Sequence, residues 1–229
     1  MTQHFLKSIC FISPVLIRHN FSDSQGSAGN YQPKSCFKNI DVGFTVDSSD
    51  SVGEQGYQKQ KQLVQRLSSF YDISKQDTRI GVVIYGDKAF TTIGMNSYRD
   101  SSILQRAVGF LPRLGGGNRK EKALVAARKM FKAKRPPSQS GASQSTKVLV
   151  FITEGPQSAT ESDTFSLYHA VHPLERNGVR VIAVGIGSKV VYQELRSLVL
   201  DSNDIYLTTS LDDVDKVSRD LIKLICKVS

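Results

Sequence analysis

At 229 residues, with 39% apolar residues, 17 glycines and 7 prolines, the chain has the make-up of one globular α/β domain plus a tail, which excludes low-complexity and collagen-like architectures. Its 30 Lys and Arg against 21 Asp and Glu leave a formal charge of +9, favouring anionic partners such as sulfated glycans, acidic proteins, membrane surfaces or nucleic acid. No apolar stretch approaches the roughly 20 residues that a spanning helix needs.

Residues 1–35 differ from the rest. Phe5 to Ile17 is mostly apolar, with Lys7 inside it and Pro14 near its end, and a polar stretch follows to Ser35. This segment reads either as a secretory signal, with Gly26-Ser27-Ala28 as a small-residue cleavage site, or as a disordered tail. Asn20-Phe21-Ser22 within it is a glycosylation sequon. Cys36 lies just before the first predicted strand and Cys226 in the last predicted helix. A bridge between them would close a loop of nearly the whole domain, worth about 4–5 kcal/mol in the chain-entropy model. Removing the leader would remove Cys10, the odd thiol; the alternative is three unrelated thiols in a cytosolic protein.

The apolar run from Ile40 to Val46 predicts a buried strand, and it delivers Asp47, Ser49 and Ser51 to a turn. A helix follows from about Glu54, with Leu63, Val64, Leu67 and Phe70 at helical spacing. One carboxylate and two hydroxyls on a turn suit a hard cation, which takes oxygen ligands in octahedral array and keeps positions open for water or an incoming carboxylate. The helix N-terminus behind the turn can hold further anionic oxygens. Ile80 to Tyr85 predicts a second strand, and Lys88 to Ile93 an edge strand returning after the Gly86-Asp87 turn. Ala123, Leu124, Ala127 and Phe131 mark another helix, and Lys134 to Ser145 a surface loop. Val148 to Ile152 and Val179 to Val184 are apolar on both faces, and Leu211, Val214, Val217 and Leu221 close the chain as a helix. Such alternation implies a mostly parallel sheet wrapped by helices, with ligands at the carboxyl ends of its strands, where the Asp47 turn lies.

Arg119, Lys120, Lys122, Arg128, Lys129, Lys132, Lys134 and Arg135 crowd one helix and its flanks. They form either a solvated helix face or a patch for sulfated glycosaminoglycan or acidic protein. The glycine runs lack dinucleotide or P-loop spacing, the four histidines form no Cys/His metal cluster, and neither a nucleophile elbow nor paired carboxylates recommend a hydrolase.

The Asp-x-Ser-x-Ser turn resembles the von Willebrand factor type A family. Further likeness lies in Thr78 to Gly86, in Leu114-Gly115-Gly116-Gly117-Asn118 with Ala123-Leu124, in Val148 to Gly155, in Gly178 to Gly187, in Asp204-Ile205-Tyr206 and in the terminal helix. The flavour is that of the extracellular A domains of matrilins, cochlin and type VI collagen. The resemblance implies an α/β fold over residues 36–229: a doubly wound, mostly parallel, Rossmann-like sheet with one antiparallel edge strand and helices on both faces. It also implies a non-enzymatic matrix module. In the family a metal-ion-dependent adhesion site holds Mg²⁺ or Mn²⁺ and an acidic partner side chain completes the coordination. Asp47, Ser49 and Ser51 carry over; Lys120 stands at the threonine position and Glu154 at the second aspartate position. Lys120 is then expected either to sit near Asp47 and Glu154 as an internal counter-ion or to turn outward, with Asn118 or water filling the gap. Metal dependence would be weakened or lost, and Lys120, Asn118 and Glu154 would face the ligand. The implied partners are a collagenous or acidic matrix protein or a sulfated glycan, with self-association compatible. The alternative is an intracellular scaffold of the same family that binds an acidic partner or nucleic acid.

Overall fold

Strands that are apolar on both faces require cover on both sides. The computed structural model, which describes residues 39–71, 73, 78–135, 145–156 and 163–227, provides it. The leader with its Asn20 sequon, Cys10 and Cys36, and residues 136–144 of the predicted loop lie outside the described residues.

Among the described residues six strands form one sheet: β1 (Ile40–Asp47), β2 (Arg79–Tyr85), β3 (Ala89–Ile93), β4 (Thr146–Thr153), β5 (Val179–Ile186) and β6 (Ile205–Thr208), in the order β3-β2-β1-β4-β5-β6. Only β3 runs antiparallel, pairing Ile84 with Phe90 and Tyr85 with Ala89. Successive strand residues face opposite ways. Val148, Val150 and Ile152 therefore enter one core, together with α1 (Gly53–Ser68), α2 (Ser101–Gly109) and α6 (Val214–Cys226). Leu149 and Phe151 enter the other, under α3 (Lys120–Phe131), α4 (Asp163–Glu175) and α5 (Tyr192–Leu198). The doubly wound sheet with one antiparallel edge thus matches the fold implied by the sequence. Helices α2 and α5 were absent from the sequence reading; α5, at seven residues, is too short to show much period.

Strand β1 pairs in parallel with β2 on one side and β4 on the other, so the winding direction reverses there and a crevice opens beyond its carboxyl end. Helix α3 lies tight against this part of the sheet. A Cβ built on Gly43 would come within 2.8 Å of the side chains of Met130 and Phe131, so only glycine lets the helix settle at that depth. That depth sets where the first residue of α3, Lys120, enters the crevice.

Candidate functional site: a buried lysine beside the Asp47 turn

The Asp47 carboxylate emerges from β1 fully buried and surrounded by protein donors. Its Oδ1 accepts from the Ser49 amide at 3.1 Å and the Ser49 hydroxyl at 2.6 Å. Its Oδ2 accepts from Asn118 Nδ2 at 2.7 Å, the Thr153 hydroxyl at 3.2 Å and the Glu154 amide at 3.4 Å. The Ser49 and Ser51 hydroxyls lie 3.0 Å apart, with Ser51 exposed. The three residues of the motif are therefore together, as their spacing requires.

The glycine loop is fastened to this turn by its backbone. The Gly115 amide donates to the Ser48 carbonyl at 2.9 Å, the Asp50 amide to the Gly116 carbonyl at 2.9 Å, and the Gly116 amide to Asp50 Oδ2 at 2.9 Å. Gly115 and Gly116 adopt φ of 70° and 75°, the left-handed region that glycine enters without steric cost. This pinning carries the chain into α3 and drives the Lys120 side chain inward.

Lys120 is completely buried. Its ammonium donates to the Gly155 carbonyl at 2.8 Å and pairs with Glu194 Oε2 at 2.9 Å. Burial pushes its pKa below the ordinary lysine value; the Glu194 carboxylate opposes that shift most strongly, and Asp47 and Glu121 add to the opposition. Of the two expectations for Lys120, the arrangement follows the inward counter-ion near Asp47, with a different carboxylate as its partner. The side chain does not turn outward, and its carboxylate partner is Glu194 on α5 rather than Glu154, while Asp47 contributes only through its field. Glu194 is the functional residue that sequence reasoning missed. The available signal was indirect: a buried ammonium demands an anion, and the helix that brings one has only Leu195 and Leu198 buried to announce it.

Glu154 points elsewhere too. Its Oε1 accepts from Gln60 Nε2 at 3.0 Å, and Gln60 Oε1 accepts from the Asp47 amide at 3.0 Å. A Cβ on Gly56 of α1 would meet Glu154 Oε2 at 2.9 Å, so the carboxylate rests against the start of α1. Burial raises its pKa above the usual carboxylate range, and the Gln60 hydrogen bond partly offsets this. Asn118 and Lys120, expected to face a ligand, are both buried and offer a partner no direct surface; Glu154, half-buried, and Ser51 do.

These residues do not fit an octahedral cation as they stand. The threonine hydroxyl is replaced by an ammonium whose field reaches Asp47, Glu154 is engaged with Gln60, and both Asp47 oxygens are already hydrogen-bonded. Mg²⁺ tolerates the loss of oxygen ligands poorly. No group of three or more His, Cys, Asp and Glu side chains gathers around a common point among the described residues.

The basic patch is divided by the fold. Arg119 Nε binds Glu121 at 2.7 Å, and Arg135 pairs with Asp41, which Arg79 also grips at 2.7 Å. Arg128 is half-buried, leaving Lys122, Lys129, Lys132 and Lys134 as its exposed members. Cys226 is disulfide-bonded, and Cys36 lies outside the described residues. No helix among the described residues is long and apolar enough to cross a membrane.

The von Willebrand factor type A domain model matches residues 41–220, and the chain belongs to that family. Among its relatives is the collagen alpha-1(XXI) chain of Xenopus laevis, 26% identical over 180 residues, which are 78% of this chain and 17% of that one. Bovine vitrin (Bos taurus) is 30% identical over 123 residues, 53% of this chain and 18% of that one. The chain thus spans about a fifth of the length of the curated relatives it matches. Among solved structures, proximal thread matrix protein 1 of the mussel byssus superposes with a TM-score of 0.69 at 23% identity, over 83% of this chain and 46% of that one. A form of the same protein with a zinc-occupied MIDAS motif superposes at 0.68 and 22% identity, over 83% and 46%. At such identities the likeness shows the fold.

Proposed function

We propose that this chain is a non-enzymatic interaction module of the extracellular matrix that engages a protein partner without a bridging divalent cation. The observation that carries the reading is the Lys120 ammonium, buried against the Gly155 carbonyl and Glu194. A positive charge stands beside Asp47, where the resembled site takes its charge balance from a cation. Here Lys120 does that internally, and it ties α3 to the Gly155 turn and to α5. The face left to a partner is the rim above it, built from Ser51, Asp50, half-buried Glu154 and Arg113, whose guanidinium donates to the Ser49 carbonyl at 3.0 Å.

The matrix setting rests on the family and on its relatives, a collagen chain and vitrin, together with the mussel thread matrix protein; its place is the extracellular matrix. Collagenous or acidic matrix proteins are accordingly the first partner class. Nothing in the arrangement supports the intracellular scaffold over this.

Calorimetric titration of the full chain with Mg²⁺ and Mn²⁺ tests the reading. The parent is expected to show no saturable binding. The double variant Lys120→Thr/Glu154→Asp, which restores the family's oxygen donors, is expected to gain it. Saturable binding by the parent that disappears in Asp47→Ala would show that a metal still works here, and the proposal would fall.

A further inference from the structure

Sheet order leaves β3 at an edge, and a groove of about 510 Å³ runs beside it. Its strand wall is the consecutive run Lys88, Ala89, Phe90 and Thr91. Ala89 and Thr91 pair with Tyr85 and Val83 of the core under α3 and so face the groove, whereas Phe90 pairs with Ile84 of the opposite core and points to the far face of the sheet. The opposite wall is one flank of α3, where Lys122, Val125 and Lys129 recur at helical spacing.

Two physical characters meet there. Val125 is 38% exposed, an apolar side chain open to water beside Ala89 and Ala126. Around them stand Lys88, Lys122 and Lys129, which form no salt bridge among the described residues. The one acid of the groove, Glu121, is already neutralised by Arg119 at 2.7 Å. The local charge is therefore net positive over an apolar floor, with the Lys122 ammonium held at the groove by the Asp87 carbonyl at 2.6 Å.

We infer that this groove docks an extended acidic segment of a partner protein, one with an aromatic or aliphatic residue flanked by carboxylates. The apolar residue covers Val125 between Ala89 and Ala126, the carboxylates reach the lysines, and the outer edge of β3 offers backbone groups to an extended chain. A sulfated glycan satisfies the lysines but gains nothing from the apolar floor, which is why the peptide is the better match. The surface is separate from the Asp47 rim and does not depend on the metal-free reading of it.

The probe is a synthetic decapeptide of Glu and Phe, titrated into the isotope-labelled full chain at low salt and followed by amide chemical shifts. A Phe-free polyglutamate of equal charge and a heparin oligosaccharide serve as comparators. Shifts confined to Lys88–Thr91 and the outer flank of α3 are expected. Lys122→Glu/Lys129→Glu should weaken the decapeptide about tenfold by reversing charges at the rim, and added salt should weaken it too. Val125→Ser should reduce affinity for the decapeptide while leaving heparin unaffected. All these substituted groove residues are exposed or line the open groove, so the fold persists, which the unperturbed spectrum of each variant verifies. The inference is overturned if the decapeptide fails to saturate, if its shifts map to the Asp47 rim, or if polyglutamate or heparin binds as well regardless of Val125.

Discussion

A lysine ammonium taken wholly out of water carries a desolvation penalty of several kcal/mol, and only close, well-aimed partners offset it. Lys120 has two, the Gly155 carbonyl and the Glu194 carboxylate, itself largely shielded with 13% of its side chain exposed. Deleting one member of such a pair strands the other. Glu194→Ala is therefore expected to destabilise the fold by about 3–5 kcal/mol, and Lys120→Met/Glu194→Ala to recover most of that, because an apolar side chain needs no anion. Chemical denaturation of parent, single and double variants measures both; a single-variant loss below about 1 kcal/mol, the level of an exposed pair, would contradict the pairing. The departure from the family pattern at Lys120 was plain in the sequence, since it needs only a position on a motif. Its consequence was not, because the answering carboxylate sits on a different helix.

Helix packing explains how that lysine is aimed. The seat of α3 on β1 and β2 depends on Gly43 and on Gly81, where a Cβ would meet Met130 Sδ at 2.5 Å. Gly43→Val should push α3 outward and cost about 1–3 kcal/mol, the usual range for overpacking a well-filled core. Thermal melting of the variant checks it, and Met130→Ala in the same chain should recover part of the loss. Helix α2 is held differently, by its N-cap. Asp100 accepts from the Ser102 hydroxyl at 2.6 Å and the Ile103 amide at 2.9 Å. These bonds, the hydroxyl first, lower its pKa below the usual carboxylate value. A folded pKa below the unfolded one means that the charged cap's stabilisation is present above the unfolded value, about 4, and is lost as pH falls through the folded value. Asp100→Asn keeps an acceptor but does not titrate, so its denaturation midpoint should fall less steeply than the parent's on the acid side of pH 4. Equal acid slopes for parent and variant would show that Asp100 contributes nothing to the pH dependence.

Across the whole molecule, the two ends of the folded region are the remaining point of control. Cys226 is disulfide-bonded at the end of α6, and Cys36 is its expected partner, joining the start of the domain to its end. Non-reducing peptide mapping should recover Cys36 linked to Cys226, and a link to Cys10 instead would overturn the assignment. Cys226→Ser should lower stability by about 2–5 kcal/mol, the usual cost of losing a native bridge, measured by denaturant midpoint. The positions of β1 to β5 and of α1, α3 and α6, the antiparallel edge, the two-faced core and the Asp47-Ser49-Ser51 cluster were legible in the sequence, because each depends on residues close together in the chain and on periods of two or 3.6. Tertiary structure alone decided that Lys120 points inward, that Glu194 answers it, that Glu154 leans on Gln60, and that Arg135 leaves the basic patch for Asp41. Those outcomes depend on which charges the packed helices bring within about 3 Å of one another. Low-dielectric burial makes such encounters energetically decisive, and no local pattern in the chain encodes them.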